Sequence, residues 1–209
     1  LRTPVALIKG YASTLRRDDA RWDRDVIEDS LMVIEEEADR LSKMIDDLLD
    51  ASRLQAGGLS LNMNDISIQN LASQLADRFA SQAGSRSINT AFPEHFPLIS
   101  ADETRIRQVL TNLISNAIKY APKGDITISG EARPEQIILC VSDEGPGIDP
   151  KDMPHIFDRF YRASESVNKT KGAGLGLYLA RAIIEAHNGR MWIDSKSTEG
   201  ARICFSLPR

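Results

Sequence analysis

Two asparagines and a lysine form the first group of side chains whose spacing could support chemistry. Asn112 and Asn116 lie four residues apart in a stretch of helical periodicity, and Lys119 follows one turn later on the same face. An amide oxygen is a hard ligand suited to Mg²⁺, which shares phosphate oxygens and keeps several waters. A lysine can meet a phosphate as a point charge. Taken alone, however, the group is better explained as a chance placement of surface polar residues.

An aspartate and two glycines follow an apolar stretch that is typical of a buried strand. Asp143 comes directly after the run 137–141, so its carboxylate could accept a hydrogen bond from the exocyclic amine of adenine. Gly145 and Gly147 would let the backbone turn and approach a flat base closely. The alternative is a plain turn, because Asp-Glu-Gly-Pro-Gly favours one in any context.

Three further glycines lie at the start of a helical pattern. Gly172, Gly174 and Gly176 would leave backbone N–H groups available to hold phosphate at a helix N-terminus. The segment lacks the Gly-Lys-Ser/Thr sequence of a P-loop. Its G-x-G-x-G spacing and the polar stretch before it also disfavour a dinucleotide-binding Rossmann site.

A polar stretch separates the two glycine clusters. We expect Phe157 and Phe160 to anchor one end of it in the core while residues 158–172 act as a lid. Arg159 and Arg162 are candidates to reach a terminal phosphate. A solvated loop is the default alternative for such a segment.

The elements that must position these groups indicate an α+β fold. Asp102 is a predicted cap for the helix that carries the asparagines, and residues 137–141 form the predicted central strand. One layer of helices on one mostly antiparallel sheet is the natural arrangement. The other predicted elements are helices over 68–82 and 173–187 and strands near 61–66, 126–128, 191–193 and 203–205.

The first 57 residues follow a different pattern. Residues 24–55 repeat apolar side chains at alternating steps of four and three, with Glu35, Glu36 and Glu37 predicted on the solvated face. A shorter stripe precedes it, so residues 1–57 are predicted to form a two-helix hairpin that dimerises into a four-helix bundle, and 58–209 a separate domain. Alternatively, the seam docks on the same chain. The seam consists of Ile27, Leu31, Ile34, Ala38, Leu41, Ile45 and Leu48.

Composition narrows the choice of partners and location. The 209 residues carry a net charge of −4, which disfavours a nucleic-acid partner. No apolar run is long enough to span a bilayer and there is no signal peptide, so we expect a cytoplasmic domain whose membrane attachment, if any, lies upstream. Cys140 and Cys204 lie in apolar runs without metal-ligand spacing, and they are predicted to be buried, reduced thiols.

Taken together and in this order, the motifs resemble the N, G1, F and G2 boxes of sensor histidine kinases, within the gyrase, chaperone and MutL ATPase superfamily. The resemblance covers practically the whole chain. It implies a Bergerat-type ATP-binding fold with ATP and Mg²⁺ as cofactors, and Asn116 as the metal ligand assisted by Asn112. It places Lys119 and Arg162 on phosphates, Tyr120 beside adenine and Asp143 on the adenine amine. The remaining implied pocket residues are Gly145, Gly147, Phe157, Arg159, Gly172, Gly174, Leu175 and Gly176.

One turn departs from the pattern of that family. Residues 198–201 read Thr-Glu-Gly-Ala where the family often has Gly-x-Gly-Thr. The replaced glycine and threonine put phosphate support from this turn in doubt.

The first four residues, Leu-Arg-Thr-Pro, resemble the end of the His-Glu-Leu-Arg-Thr-Pro box of the same family. The His that accepts the phosphoryl group would precede Leu1, so we expect the chain as given to bind ATP without labelling itself. By the same resemblance Thr3 would orient a hydrolytic water during phosphatase action, although it also suits a helix N-cap before Pro4. His95, His155 and His187 lie outside the hairpin and are expected to be structural.

The resemblance implies the catalytic core of a two-component sensor histidine kinase, which phosphorylates a His and passes the phosphoryl group to an Asp of a response regulator. The alternatives are a conformational ATPase of the gyrase or MutL type and a non-catalytic dimerisation scaffold. Against the first, Asn112 stands where those ATPases carry a catalytic Glu, and no transducer domain follows Arg209.

Overall fold

The computed structural model describes residues 2–17, 21–55, 60–162, 174–195 and 200–209. Its contacts divide the chain into two units, Leu1–Gly57 and Gly58–Arg209. The residues on either side of the predicted domain boundary, 57 and 58, lie outside the described ranges. Within these ranges, no helix combines the length and apolar character that crossing a bilayer requires.

The first unit consists of two helices that contact each other, α1 (Arg2–Leu15) and α2 (Arg24–Gln55). Thr3 lies inside α1, so its predicted N-cap role is wrong: the helix begins one residue earlier. Glu37 is also not on a solvated face, because it is only 4% exposed and lies 3.4 Å from Arg40. The large apolar side chains that remain exposed are Val5, Tyr11, Val26, Ile27, Leu31, Met32, Ile45 and Leu49.

The second unit is built on a five-stranded sheet, and the apolar run 137–141 lies in its middle strand as predicted. The strands in spatial order are β2 (Ile88–Ala91), β4 (Ile126–Ala132), β5 (Gln136–Asp143), β7 (Arg202–Pro208) and β6 (Arg190–Ile193). The β2–β4 pair is parallel and the other pairs are antiparallel. A separate two-stranded sheet, which the sequence did not predict, joins β1 (Asn64–Ile66) to β3 (Ile99–Ala101).

Three helices cover one face of the large sheet: α3 (Ile68–Ala83), α4 (Glu103–Tyr120) and α5 (Gly176–Ala186). Asp102 caps α4 as predicted, since its Oδ1 accepts a hydrogen bond from the Arg105 N–H at 3.1 Å. Its Oδ2 accepts from the Asn62 N–H at 2.9 Å. The predicted helix 173–187 is shorter and begins at Gly176.

The main core lies between the helices and the sheet. Alternate residues of β5, namely Ile137, Leu139 and Val141, point into it, as the two-residue period of a strand requires. On the opposite face a small second cluster joins Ile138 to the two cysteines, with Trp192 packed against it. Helices on one sheet make this unit an α+β sandwich, which confirms the predicted fold class.

Cys140 and Cys204 are joined in a disulfide, so the prediction of two reduced thiols is wrong, although both side chains are buried as expected. The two residues are cross-strand partners in the β5–β7 register and are 64 residues apart in the chain. A pairing created by sheet register leaves no local spacing signal in the sequence.

His187 is buried at the end of α5 and has a structural role, as expected. Its Nδ1 lies 2.8 Å from the Ile183 carbonyl oxygen, which requires the proton on Nδ1. Nε2 is then an acceptor, and it receives the Asp102 N–H at 3.0 Å. This contact links the end of α5 to the start of α4.

Candidate functional site

A cavity of about 970 Å³ opens beside the C-terminal half of α4 and the end of β5. This size suits a small organic ligand. Its wall combines apolar side chains with one amide, several carboxylates and three cationic groups. The lining residues are Leu113, Asn116, Ala117, Lys119, Tyr120, Pro122, Val141, Asp143, Pro146, Gly147, Ile148, Asp149, Pro150, Lys151, Asp152, Ile156, Tyr161, Arg162, Leu177, Ala201 and Ile203.

One helix, α4, supplies three of the predicted residues to this wall. Asn116, Lys119 and Tyr120 follow one another along its last turn and a half. The Lys119 Nζ lies 3.2 Å from the Tyr120 hydroxyl and 4.8 Å from the centre of its ring. The ammonium and the aromatic side chain are therefore held next to each other at the cavity wall.

Arg86 fixes the end of α4, a contact that was not predicted. Its Nη1 donates to the carbonyl oxygens of Ile118, at 3.1 Å, and of Ala121. Its Nε donates to the Ala83 carbonyl at the end of α3, at 2.8 Å. A cation at helix C-termini satisfies carbonyl groups that have no partner within the helix. The two partners at the end of α4 are more than 30 residues away in the chain, so no local motif could have revealed these contacts.

Asn112 does not line the cavity. Its Nδ2 donates to the Gly176 carbonyl at 3.2 Å. A Cβ added to Gly176 would lie 3.5 Å from the Asn112 amide, which is ordinary contact. In this structure Asn112 therefore ties the middle of α4 to the start of α5.

Asp143 lines the cavity at the end of β5 with its carboxylate fixed by the backbone. Its Oδ1 accepts from the N–H of Gly145 at 2.9 Å and from the N–H of Ala201 at 3.1 Å. Both bonds use the same oxygen, so Oδ2 is the atom available to a ligand. Two backbone donors fix the orientation of the carboxylate before any ligand arrives.

The turn at Gly200 and Ala201 belongs to the site, although its sequence departs from the expected pattern. Gly200 has φ of 71°, and a Cβ there would lie 1.7 Å from the Asp143 carbonyl oxygen. Only glycine fits such a close approach. The turn therefore supports Asp143 through the backbone, which the identity of residues 198–201 could not reveal.

The segment between Gly147 and Arg162 contributes cavity residues that were not predicted. Gly147 itself has φ of 78°. Asp149 pairs with Lys151 at 2.8 Å, and hydrogen bonds from Lys151 lower the pKa of the Asp149 carboxyl. Asp152 is only 6% exposed and accepts a hydrogen bond from the Tyr161 hydroxyl at 2.6 Å. These polar residues carry no spacing motif, because turns rather than a regular element bring them together.

The two phenylalanines of this segment differ. Phe157 packs against the main core as expected, with the Arg181 guanidinium 5.8 Å from its ring centre. Phe160 is 56% exposed and has φ of 65°, so its predicted anchoring role is wrong. Its N–H donates to the Gly174 carbonyl at 2.9 Å, which orients the backbone and turns the side chain outward.

The remaining predicted residues are distributed around the cavity or lie elsewhere. Arg162 lines the wall, whereas the Arg159 guanidinium lies 4.8 Å from the Phe160 ring centre and is not part of the lining. Gly145, Gly174, Leu175 and Gly176 do not line the cavity. Gly172 and most of the predicted lid lie outside the described residues. Thr3 lies exposed in α1 of the other unit.

This wall can bind a flat heterocycle attached to an anion. Apolar side chains such as Val141, Ile148 and Ile203 suit a base, and one fixed carboxylate can accept hydrogen from an amine. Asn116, Lys119 and Arg162 suit phosphate oxygens and a hard cation. No cluster of three His, Cys, Asp or Glu able to hold a metal occurs among the residues the structure describes.

The sequence matches two known domain families. Residues 101–209 match the family described as "Histidine kinase-, DNA gyrase B-, and HSP90-like ATPase", and residues 1–57 match the "His Kinase A (phospho-acceptor) domain". The chain belongs to the histidine kinase-, DNA gyrase B- and HSP90-like ATPase family. The chain also contains the phospho-acceptor domain, and the two domains together are those of a two-component sensor histidine kinase.

Individual relatives agree with this assignment. The sensor histidine kinase WalK of Bacillus subtilis (strain 168) is 35% identical over 217 residues, covering 100% of this chain and 35% of WalK. Full-length ShkA, crystallised in complex with AMPPNP, has a TM-score of 0.76 and 25% identity over 99% of this chain and 44% of its own. Histidine kinase ThkA, crystallised in complex with response regulator protein TrrA, shares the fold with a TM-score of 0.76 at 24% identity, over 99% of this chain and 58% of its own. The chain spans about a third of the length of the curated relatives it matches.

Proposed function

We propose that the second unit binds Mg·ATP in the cavity beside α4 and donates the γ-phosphoryl group to a phospho-acceptor His on the dimerisation helix. Residues 1–57 contain no His, so the proposed acceptor would lie just before Leu1. The phosphoryl group then passes to an Asp of a response regulator. The observation that carries the proposal is the fixed Asp143 carboxylate in one cavity with Asn116, Lys119 and Arg162. The phospho-acceptor domain favours this function over that of a gyrase-type conformational ATPase or a non-catalytic scaffold.

The proposed roles follow from the chemistry of each side chain. Asp143 Oδ2 accepts the exocyclic amine of adenine, and Tyr120 lies beside the base. Asn116 holds Mg²⁺, which neutralises phosphate charge when bound. Lys119 and Arg162 neutralise the remaining charge on the phosphates. In phosphoryl transfer, positioning and charge neutralisation supply most of the catalysis.

The first unit has the proposed role of dimerisation, and it matches the phospho-acceptor domain without containing the acceptor His itself. Apolar side chains along α2, including Leu31 at 53% exposure, would be buried by a second copy. Thr3 would orient water when the kinase removes phosphate from its regulator. ThkA, crystallised with a response regulator, is the precedent for the partner. We place the domain in the cytoplasm, where ATP and response regulators occur.

The decisive experiment measures nucleotide affinity by calorimetry for the wild type and Asp143→Ala. We expect ATP affinity to fall at least about 100-fold, because a charged hydrogen bond and its specificity are lost. Asp149→Ala is the matched control, since it removes another cavity carboxylate and should change affinity less than about threefold. Equal losses in the two variants would refute the assignment of Asp143.

The preference for adenine over guanine tests more specifically whether Asp143 contacts the base. Asp143→Asn keeps an oxygen acceptor but adds an amide donor that suits the O6 atom of guanine. We expect the preference for ATP over GTP to decrease, with the fold intact by circular dichroism. An unchanged preference would mean that Asp143 does not contact the base.

The metal role of Asn116 is tested by titrating ATP with and without Mg²⁺. Asn116→Ala should weaken Mg·ATP binding much more than binding of metal-free ATP, because only the metal complex uses the amide oxygen. Equal losses would contradict a ligand role.

A further inference from the structure

The backbone that leads into Arg162 is held from two sides. On one side Gly174 contacts it directly: a Cβ on Gly174 would lie 2.6 Å from the Tyr161 carbonyl oxygen, and the Gly174 carbonyl accepts the Phe160 N–H at 2.9 Å. On the other side the Tyr161 hydroxyl donates to Asp152 Oδ1 at 2.6 Å. Arg162 is the next residue and lines the cavity.

Asp152, which accepts that hydrogen bond, is held in place by burial and by backbone hydrogen bonds. It is 6% exposed, and its own carbonyl accepts the N–H groups of His155, at 2.9 Å, and Ile156, at 3.0 Å. Ile156 packs against the main core, so the turn that carries Asp152 is connected to the rest of the unit. A buried carboxylate that accepts a hydroxyl at this distance makes a short, charge-assisted hydrogen bond.

The Tyr161 side chain is set up as a donor to Asp152. The hydrogen bond to Asp152 raises the pKa of Tyr161, which further favours the protonated hydroxyl that donates this bond. The ring is supported by the His155 ring, with centres 5.5 Å apart, and His155 Nδ1 lies 2.9 Å from Asp158 Oδ2. The Tyr161 ring also lines the cavity, but its hydroxyl is engaged by Asp152, so the effect of that hydroxyl on a ligand passes through the neighbouring Arg162.

We infer that the Asp152–Tyr161 hydrogen bond is a positioning device that holds Arg162 at the cavity wall and thereby sets the preference for a nucleoside triphosphate over a diphosphate. The inference rests on the proposed function, in which Arg162 meets the terminal phosphate. Tyr161 and Asp152 are positioning residues, and Arg162 makes the contact. A diphosphate lacks the group that Arg162 meets, so its binding does not depend on the device.

The test compares ATP and ADP affinities for Tyr161→Phe, which keeps the ring and removes the hydrogen bond. We expect ATP affinity to fall about fivefold to tenfold. A hydrogen bond to a charged group contributes more than this, but only part of its loss reaches the contact between Arg162 and the phosphate. ADP affinity should stay within about twofold. Tyr178→Phe, the same change on α5 away from the cavity lining, should alter neither affinity.

A double-variant cycle tests whether the effect passes through Arg162. In an Arg162→Ala background, Tyr161→Phe should have no further effect on the ratio of ATP to ADP affinity. Asp152→Asn keeps a neutral acceptor for the Tyr161 hydroxyl. Its loss of ATP affinity, on a logarithmic scale, should be about half that of Tyr161→Phe. If Tyr161→Phe does not fold, the cycle is run with Asp152→Asn.

The outcomes separate this inference from the proposed function. ATP binding that depends on Asp143, together with equal losses of ATP and ADP affinity in Tyr161→Phe or with no loss of either, overturns the inference alone. A further drop of the ratio in the Arg162→Ala background also overturns it. A wild type that binds neither nucleotide overturns both.

Discussion

The helical hairpin and the nucleotide-binding unit differ in where their apolar side chains lie. In the second unit three helices and a sheet enclose a continuous core that includes Leu75, Leu110 and Phe205, all fully buried. In the described part of the hairpin, Pro4 and Ala51 are the buried apolar residues, while residues such as Leu31 and Met32 are more than half exposed. One unit therefore carries its own stabilising core, and the other needs a partner surface to complete one.

The difference extends to covalent and electrostatic support. The second unit has a disulfide on the outer face of its sheet and a capped helix whose carboxylate is stabilised by hydrogen bonds. The hairpin has an acidic stretch in α2 whose charges repel one another. Trp22 precedes α2 and Trp192 lies in β6, so fluorescence of variants that keep one tryptophan reports on each unit separately.

The largest expected effect concerns the disulfide. Reducing Cys140–Cys204 should lower the free energy of unfolding of the second unit by up to about 4 kcal/mol, because it opens a long loop in the unfolded chain. Urea unfolding is followed by Trp192 fluorescence in Trp22→Phe, with and without a reductant. The Cys140→Ser, Cys204→Ser double variant should not respond to reductant. Unfolding of the wild type that is insensitive to reductant would show that the bond does not contribute.

The next effect concerns the exposed seam of α2. Leu31→Lys should weaken dimerisation about 100-fold, since it places a charge where a leucine would be buried, at a cost near 3 kcal/mol. Sedimentation velocity over a concentration series measures this, and ATP affinity should be unchanged. Met32→Lys, equally exposed but off the heptad seam, is the control and should have a smaller effect. If both variants dimerise like the wild type, the seam is not the interface.

A smaller effect comes from the cap of α4. Burial alone would raise the pKa of Asp102, but the N–H groups of Asn62 and Arg105 and the Arg105 charge outweigh it and lower the pKa. The stabilising contribution is therefore present above the unfolded pKa, about 4, and is lost as pH falls through the folded value. Asp102→Ala should cost the second unit about 2 kcal/mol at pH 7, measured by urea unfolding with Trp192.

Asp102→Asn separates the charge of this residue from its capping geometry. It should keep most of the cap at pH 7 and abolish the part of the acid sensitivity that Asp102 contributes. Stability in Asp102→Ala equal to that of the wild type at both pH 7 and pH 3 would contradict the role of the cap.

The smallest effect has the opposite sign. Burial, followed by the charges of Asp50 and Asp46 and opposed by Lys43, raises the pKa of Asp47. The ionised carboxylate therefore destabilises the hairpin above its folded pKa, and acidification removes the penalty. Asp47→Asn should stabilise the hairpin by less than about 1 kcal/mol at pH 7 and have no effect at pH 3, as measured with Trp22 fluorescence. Stabilisation that persists at pH 3 would point to a cause other than charge.

Features with local signals could be predicted from the sequence. The heptads of α2 are visible as a periodic pattern, and the strand 137–141 as a continuous apolar run. The cap at Asp102 is visible because the start of a helix favours a few residue types. The α+β fold class followed from these elements, and the sensor histidine kinase family from the resemblance of the ordered motifs to those of that family. The assignment of individual residues to nucleotide, metal and phosphate roles stays a prediction until the affinity measurements are made.

Contacts between residues that are far apart in the chain could not be predicted. The disulfide depends on the β5–β7 register, and the contacts of Arg86 with the end of α4 join residues more than 30 positions apart. Phe160 was expected inside because it is apolar, yet a backbone hydrogen bond to Gly174 in a left-handed conformation turns it outward. The Asp152–Tyr161 bond belongs to irregular turns, for which apolar periodicity carries no information.

Two ties between α4 and α5 have a mechanical consequence. Asn112 on α4 donates to the Gly176 carbonyl at the start of α5, at 3.2 Å. His187 at the end of α5 accepts the N–H of Asp102, the cap of α4, at 3.0 Å. Contacts at both ends restrain α5 from separating from α4 at either end. We therefore expect the two helices to move together, so that a rearrangement of the site takes place mainly in the turns around them.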